Sequence, residues 1–266
     1  MRQHIDLLKL IVKTGTHEKR PDDRAAISIF GHQLRFNLET GFPISTTKRI
    51  HFPAVVHELL WFLSGETNAK YLQDRGVNPY SPEGRANAYM SQWRAWQTKT
   101  GETINQLNRL IRDIRRNPNS RRHIVAAWNP TQLESEPLAP DHALLQCYVS
   151  DTNLSSHFYL RSVDAFTRLG YMTAGCALLT HMVAQQCNLS AHELIITIGA
   201  AFVLDEHRDQ ITLQVHRRPH PLPQLQIARK RKTIFHYKAD DFDLTAYKSH
   251  PDIPLPHAST KESRGK

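Results

Sequence analysis

The chain has 266 residues, 40% of them hydrophobic, which is enough to bury one sizeable core, and it has no run of about 18 apolar residues that could span a bilayer. Its three cysteines, Cys147, Cys176 and Cys187, are odd in number and widely spaced, which excludes a disulfide framework or a metal knuckle, and we expect all three to be buried. A formal charge of +9 suits phosphate-bearing ligands or nucleic acid without selecting between them.

These features predict a single domain over residues 1–259, followed by a polar tail at 260–266 that we expect to be disordered. The chain starts with an amphipathic pattern at Ile5, Leu8 and Ile11 rather than with a signal peptide. We therefore expect a cytoplasmic protein with no membrane segment.

The periodicity of apolar residues predicts alternating helices and strands without internal repeats, which is typical of an α+β fold. The segment 78–87 is predicted to be a loop because it contains Pro79, Pro82 and Gly84. In chain order the other predicted elements are a helix at 1–13, a strand near 27–38, a helix at 52–75, a helix at 104–116, strands near 123–129, 143–150 and 154–163, a helix at 171–188, and strands near 194–204 and 211–216.

Positive charge is concentrated in two clusters. One is Arg229-Lys230-Arg231-Lys232, in a strand-like region. No aromatic-rich repeat accompanies the charge, so nucleic-acid binding is not the favoured interpretation. The other cluster lies on and after the helix at 104–116 and comprises Arg109, Arg112, Arg115, Arg116, Arg121 and Arg122.

Several sequence blocks follow one another in a recognisable order: Ser28–Gln33, Thr46–Arg49, His57–Leu63, Gln92–Trp96, Ser120–Arg122, Ala127–Asn129, and Arg161–Ser162 with Asp164. In order and spacing they resemble the thymidylate synthase and pyrimidine nucleotide hydroxymethylase family, over about residues 1–259. The resemblance implies a large mixed sheet with flanking helices. It also implies a homodimer in which the sheets of two subunits pack back to back.

The activity that the resemblance implies depends on a cysteine that this chain lacks. Family members transfer a one-carbon unit from 5,10-methylenetetrahydrofolate to carbon 5 of deoxyuridylate, after a cysteine thiolate adds to carbon 6; close relatives hydroxymethylate other pyrimidine nucleotides. Here Asp141 stands at the cysteine position. A carboxylate is a far poorer carbon nucleophile than a thiolate. Cys147 is predicted to lie roughly 20 Å away along a strand, so it cannot replace the missing thiol.

Two interpretations of Asp141 remain open. The family places an arginine, here Arg161, beside the nucleophile, and such a pair is expected to keep Asp141 ionised. Asp141 would then accept a proton or hold an N–H group of a base. Alternatively, the two side chains form a structural ion pair that remained after function was lost.

The resemblance implies a phosphate site built by arginines from both subunits and a serine, since guanidinium forks match phosphate geometry. Pro21 occupies the position of a fifth family arginine, and Arg20 and Arg24 flank it as possible substitutes. A merely solvated basic surface is the alternative. The matching residues are Arg161 and Ser162 from one chain and Arg121 and Arg122 from its partner in the homodimer.

The base and sugar end departs from the family pattern. Met172 replaces an asparagine that reads the uracil edge, Phe202 and Leu204 replace a histidine and a tyrosine that hold the sugar hydroxyl, and Leu160 replaces a glutamine. Losing such hydrogen bonds changes recognition by orders of magnitude. We therefore expect a nucleoside monophosphate other than deoxyuridylate as substrate.

At the predicted folate end of the site, some residues match the family pattern and others depart from it. Asp164 matches the aspartate that binds the pterin ring, and Glu58 matches the glutamate that organises water and proton transfer, although a structural role remains open for both. Arg168 replaces a glycine that lets the folate ring lie close, and the loop at 78–87 is about five residues shorter than in the family. The other matching positions are Tyr89 and His142 at the reacting end and Lys48, which is expected to meet a glutamate tail.

Three function classes follow. The favoured one is a divergent folate-dependent methyltransferase or hydroxymethyltransferase that acts on a nucleoside monophosphate without a cysteine nucleophile. The second is a catalytically inactive homologue that binds a phosphorylated ligand or a partner. The third is an RNA-binding protein that uses the basic surface, for which affinity depends strongly on salt.

Overall fold

The computed structural model describes residues 1–66, 68, 70–77, 90–131 and 139–256, apart from the side chains of Met90 and Ser91. The predicted loop at 78–87, Tyr89 and the predicted tail at 260–266 lie outside these residues.

The helices in this part of the chain are α1 (Arg2–Thr14), α2 (Phe52–Ser64), α3 (Lys70–Gln73), α4 (Met90–Ala95), α5 (Gln106–Arg116), α6 (Leu169–Cys187) and α7 (Arg208–His216). The strands are β1 (Thr16–Lys19), β2 (Ala25–Asn37), β3 (Trp96–Gln97), β4 (Thr103–Ile104), β5 (Ile124–Ala126), β6 (His142–Ser150), β7 (Asn153–Asp164), β8 (Ser190–Leu204), β9 (Gln224–Ile227) and β10 (Phe242–Thr245).

Six of the strands form one mixed sheet in the order β1-β2-β8-β7-β6-β5. β7 and β8 are parallel, whereas the other neighbouring pairs are antiparallel. A parallel pair needs a long crossover connection, and α6 supplies it. α6 is buried along most of its length and packs against the sheet and α2, which confirms the predicted α+β fold with a large mixed sheet and flanking helices.

The sheet order brings distant segments of the chain to one edge. β7 ends at Asp164 and the parallel β8 ends at Leu204, while their antiparallel neighbours β6 and β2 begin at His142 and Ala25. The loop ends next to these four positions are therefore close in space although they are far apart in sequence. This edge carries the candidate site.

Two predicted elements near the site differ from the structure. The helix predicted at 52–75 ends at Ser64, because Gly65 adopts a left-handed conformation with φ of 74° that terminates α2. The strand predicted at 211–216 is helix α7. Alternating apolar residues there imitate a strand, yet the buried side chains are Ile211 and Gln214, three residues apart as on a helix, and Leu213 is 51% exposed.

The basic cluster Arg229–Lys232 also differs from its prediction, because it lies after β9 in a segment without strand structure. Arg231 is held there by two hydrogen bonds to the buried Asp241, both of 2.7 Å. No described helix is long and apolar enough to cross a membrane.

Candidate active site

A cleft of about 500 Å³ opens at this edge of the sheet. Sequence reasoning did not single out Glu206 and His207, which also line the cleft. Both residues directly follow Leu204 at the end of β8, and this position could have indicated that they line the cleft. The predicted site residues that the fold brings together in the cleft are Arg20, Arg24, Asp141, Arg161, Ser162, Asp164, Arg168, Met172, Phe202 and Leu204.

A smaller cavity of about 60 Å³ lies beside the cleft, and we call it the inner cavity. It is lined mostly by apolar side chains, together with Glu58 and His142. Arg168 and Met172 line both the cleft and the inner cavity. Glu58 and His142 therefore belong to the same site as Asp141.

Asp141 pairs with Arg161, as the sequence predicted, but the pair is long. The distance from Arg161 Nη2 to Asp141 Oδ1 is 3.7 Å, and Arg161 also donates from Nε to the carbonyl of Pro140 at 3.3 Å. Loss of solvent raises the pKa of Asp141 above its usual value; Arg168 and Arg161 oppose this rise and Glu58 adds to it. Loss of solvent therefore opposes the expected effect of Arg161, and an ionised Asp141 stays a prediction.

Arg168 forms the shorter ion pair of the site. Its Nη2 donates to Glu58 Oε1 at 3.0 Å, joining the start of α6 to the middle of α2. The Arg168 side chain is only 15% exposed. Charge-assisted hydrogen bonds of this kind are strong when they are shielded from water.

The turn after β7 is fixed by its own aspartate. Asp164 Oδ1 accepts hydrogen bonds from the backbone N–H groups of Phe166 and Thr167, at 2.8 and 2.9 Å. The loop-stabilising role that remained open for Asp164 is therefore present. Asp164 also lines the cleft, so contact with a ligand stays a prediction.

Lys48 lies beneath this turn rather than on the cleft wall. Its ammonium donates to the carbonyl of Phe166 at 2.8 Å and lies 4.1 Å from the centre of that ring. His4 supports the same turn from α1, since its Nε2–H donates to the carbonyl of Ala165 at 2.6 Å. Lys48 is 7% exposed, so its predicted contact with a glutamate tail requires it to leave this position.

Lys48 is expected to make stability depend on pH in the alkaline range. Burial lowers its pKa from 10.5 to about 8, while Asp252 and Asp164 oppose the change. Between pH 8 and pH 10.5 the unfolded chain therefore binds more protons than the folded chain. Over this interval the free energy of unfolding of the wild type should rise by about 3 kcal/mol relative to that of Lys48→Met. Urea unfolding of both proteins across this interval measures the difference.

The exposed Lys9 provides the matched control. Lys9→Met should keep a constant stability difference from the wild type over the same pH interval. A constant difference for Lys48→Met as well would contradict the prediction, because it would mean that folding leaves the proton affinity of Lys48 unchanged.

His142 is held neutral in the inner cavity. Burial lowers its pKa from 6.5 to about 4, and Arg168 lowers it further. Its ring lies 6.1 Å from that of Phe62 and 6.3 Å from that of Phe158, between centres. Its Nδ1 is buried and has no hydrogen-bond partner among the described residues.

The two candidate substitutes for the fifth phosphate arginine differ. Arg24 already forms a close ion pair, since its Nε and Nη2 donate to Asp22 at 3.0 and 2.6 Å, whereas Arg20 Nη1 lies 4.0 Å from Glu18 Oε1. Arg20 lies with its guanidinium carbon 3.7 Å above the centre of the Phe202 ring, and its Nε is buried without a hydrogen-bond partner in the described part of the chain. Arg20 is thus the better placed donor for an anion.

Arg121 and Arg122 do not line the cleft of their own chain. Arg121 donates to the carbonyl of Asn119 at 2.7 Å and lies over the Tyr148 ring, at 4.8 Å from its centre. Arg122 lines a separate basic depression of about 450 Å³, together with Arg116. Their contribution to the cleft of a partner subunit stays a prediction.

The part of the cleft that is predicted to hold the base is lined by apolar side chains. Phe202 and Leu204 are buried and form a small cluster with Ala26, and Met172 is 5% exposed. The prediction for Leu160 requires correction, because Leu160 is fully buried in the core and does not line the cleft. It lies on β7 opposite His142, so its side chain affects the site only through packing.

The three cysteines are buried, as predicted. Burial raises the thiol pKa of Cys147 to about 12 and that of Cys187 to about 11, and it raises the pKa of Cys176 as well. Cys176 lines the inner cavity, whereas the other two line neither space. The described residues contain no group of three histidine, cysteine, aspartate or glutamate side chains that could hold a metal.

The profile of the thymidylate synthase family matches residues 2–259, and the chain therefore belongs to that family. The family transfers a one-carbon unit from methylenetetrahydrofolate to a nucleotide.

Proposed function

We propose that the protein is a folate-dependent one-carbon transferase that methylates or hydroxymethylates a nucleoside monophosphate other than deoxyuridylate, without a cysteine nucleophile. The observation that carries this proposal is the position of Asp141. It is a carboxylate with a raised pKa, in a cleft that also contains guanidinium groups and an apolar base end.

The phosphate end supports a nucleotide ligand. Arg161, Ser162 and Arg20 line the same cleft, and the buried Nε of Arg20 has no hydrogen-bond partner among the described residues. A phosphate oxygen would satisfy this donor and pair with the guanidinium groups. Arg121 and Arg122 of the partner subunit are proposed to complete the grip in a homodimer.

The donor set of the cleft also fits a reduced folate. Asp164 is buried on the cleft wall, and its carboxylate is held in place by two backbone N–H groups. A carboxylate fixed in this way matches the N–H groups of a pterin ring. When bound, 5,10-methylenetetrahydrofolate supplies an electrophilic one-carbon unit.

The chemistry requires a substrate ring whose carbon is already nucleophilic, because the thiols of this chain are buried and have raised pKa values. Amino-substituted or purine-like rings have this property. Asp141 then accepts the proton that the ring carbon loses. A carboxylate with a raised pKa is a better base near neutral pH than an ordinary aspartate.

The open face of the sheet supports the proposed homodimer. Phe30 on β2 is 87% exposed, and Tyr148 on β6 and Tyr159 on β7 are 45% and 38% exposed. Aromatic side chains on a sheet face favour burial against another surface. A second copy of the chain would cover them in the back-to-back arrangement that the resemblance implies.

A catalytically inactive homologue is the second candidate. It is favoured by the Arg168–Glu58 ion pair, which engages the family's proton-transfer glutamate at 3.0 Å. Under this alternative the cleft binds a phosphorylated ligand without turnover. Product formation that disappears in Glu58→Gln would exclude it.

The test is thermal stabilisation by purine and pyrimidine nucleoside monophosphates, each with and without a reduced folate. A ligand at 100 times its dissociation constant adds about 2.7 kcal/mol to stability. We expect one nucleotide to stabilise the protein selectively, more so with folate, and to gain a one-carbon unit detectable by mass spectrometry. No stabilisation across the panel would contradict the proposal and favour a protein or RNA partner.

The absence of thiol catalysis makes a separate prediction. Replacing Cys147, Cys176 and Cys187 with alanine, singly, should preserve product formation, because the buried thiols are poor nucleophiles at neutral pH. Mass spectrometry of the product formed by each variant checks this. Loss of product in a variant that remains folded by circular dichroism would show that the corresponding thiol takes part.

A further inference from the structure

We infer that Arg168 is a positioning residue of this site, which holds the Glu58 carboxylate beside the inner cavity and places a guanidinium group in the cleft that contains Asp141. The inference deepens the proposed function, on which it rests only for what the Asp141 proton does in the reaction. The contacts and charges that support it belong to the cleft residues themselves.

Two backbone hydrogen bonds hold Arg168 in place. Its N–H donates to the carbonyl of Asp164 at 3.0 Å, and its own carbonyl accepts from the N–H of Met172 at 3.0 Å. The residue is thus anchored between the turn after β7 and the first turn of α6. From there its guanidinium reaches Glu58 at 3.0 Å, across 110 residues of sequence.

Arg168 lies between the cleft and the inner cavity, so its positive charge acts on titratable groups in both. It lines the cleft with Asp141 and the inner cavity with Glu58 and His142. Its positive charge lowers the pKa of Asp141 and of His142. Arg168 is the more shielded of the two arginines, with a side chain that is 15% exposed against 42% for Arg161, so we expect water to screen its charge at Asp141 less than that of Arg161.

Asp141 is therefore surrounded by charges from three elements. Arg161 comes from β7, Arg168 from the start of α6 and Glu58 from α2, and the neutral His142 follows Asp141 on β6. Glu58 accepts a hydrogen bond from Arg168, whereas the only ion pair of Asp141 among the described residues is the 3.7 Å contact with Arg161, and we propose Asp141 as the group that exchanges the proton. The other charged or titratable cleft residues are Arg20, Arg24, Asp164, Glu206 and His207.

Two substitutions should move the pKa of Asp141 in opposite directions. Arg168→Gln removes the stronger opposing positive charge and should raise it, whereas Glu58→Gln removes a negative charge and should lower it. Arg161→Gln should raise it less than Arg168→Gln. A ¹³C NMR titration of aspartate-labelled protein, with the Asp141 resonance assigned through Asp141→Asn, measures each midpoint.

A midpoint that stays in place in Arg168→Gln, or that rises more in Arg161→Gln, would overturn the inference. If Arg168→Gln does not fold, Glu58→Gln still decides, since an unchanged or raised Asp141 midpoint in that variant overturns it equally. The titration needs neither nucleotide nor folate. Opposite shifts without any one-carbon product would therefore support the role of Arg168 while contradicting the proposed function.

Discussion

Asp141→Asn is expected to lower folate-dependent product formation by at least about 100-fold, the lower range of the contribution of a positioned general base. The substitution keeps the size of the side chain but removes the carboxylate that we propose accepts the ring proton. Single-turnover assays with the nucleotide that stabilises the protein would measure the loss. Thermal stability should change little, because the only ion pair of Asp141 among the described residues is the long contact with Arg161.

The exposed Asp113 on α5 provides the control, and Asp113→Asn should retain full activity. Equal product formation by Asp141→Asn and the wild type would contradict a role for Asp141 as base. It would leave the structural ion pair as the explanation of this residue.

The companion variant Asp141→Cys should not create a thymidylate synthase. Met172, Phe202 and Leu204 form an apolar base end, which cannot satisfy the polar edge of uracil or a sugar hydroxyl. Robust methylation of deoxyuridylate by this variant would show that the apolar residues do not control recognition.

Acid is expected to unfold the protein between pH 6.5 and about pH 4, because three histidines, His4 buried and His142 and His181 half-buried, are held in their neutral form. Burial lowers the pKa of His4, His142 and His181 from 6.5 to about 4. The unfolded chain binds more protons in this interval, so stability is complete above pH 6.5 and falls as the pH approaches 4. Each histidine contributes about 3 kcal/mol, and a whole domain has only about 5–15 kcal/mol.

His181→Leu tests this explanation. His181 lies on α6 near the Phe42 ring, and its Nε2 is buried without a hydrogen-bond partner among the described residues. The leucine variant should lose about 3 kcal/mol less than the wild type on acidification, as measured by urea unfolding at both ends of the interval. The exposed His216 provides the control, since His216→Gln should follow the wild type. If His181→Leu and the wild type lose the same free energy of unfolding on acidification, the acid sensitivity is due to other groups.

The family resemblance predicted much of the site, and one run of its residues lies together because they are close in the chain. Arg161, Ser162 and Asp164 end β7, and Arg168 and Met172 begin α6. A strand, a turn and a helix that follow one another place their side chains at the same sheet edge. Asp141 was identified by the resemblance, because it stands at the family's cysteine position directly before β6.

The errors arose where local pattern conflicts with packing. The alternation of Ile211, Leu213 and Val215 is that of a strand, but the segment is helix α7, which buries one face and leaves Leu213 exposed. Leu160 was assigned to the base pocket because it replaces a glutamine of the family. Successive side chains of a strand point to opposite faces, so Leu160 enters the core while Arg161 stays half-exposed at the cleft.

The sequence by itself determined the family, the α+β fold, the apolar base end and the lack of a nucleophilic cysteine at position 141. Only the tertiary structure decided the charge arrangement. α2 packs against α6, which brings Glu58 to Arg168, and the depth of the cleft raises the pKa of Asp141 despite its arginine neighbours. Residue types and local periodicity can be read directly from the sequence. Ion pairing and desolvation depend instead on which distant surfaces meet and how much water they exclude.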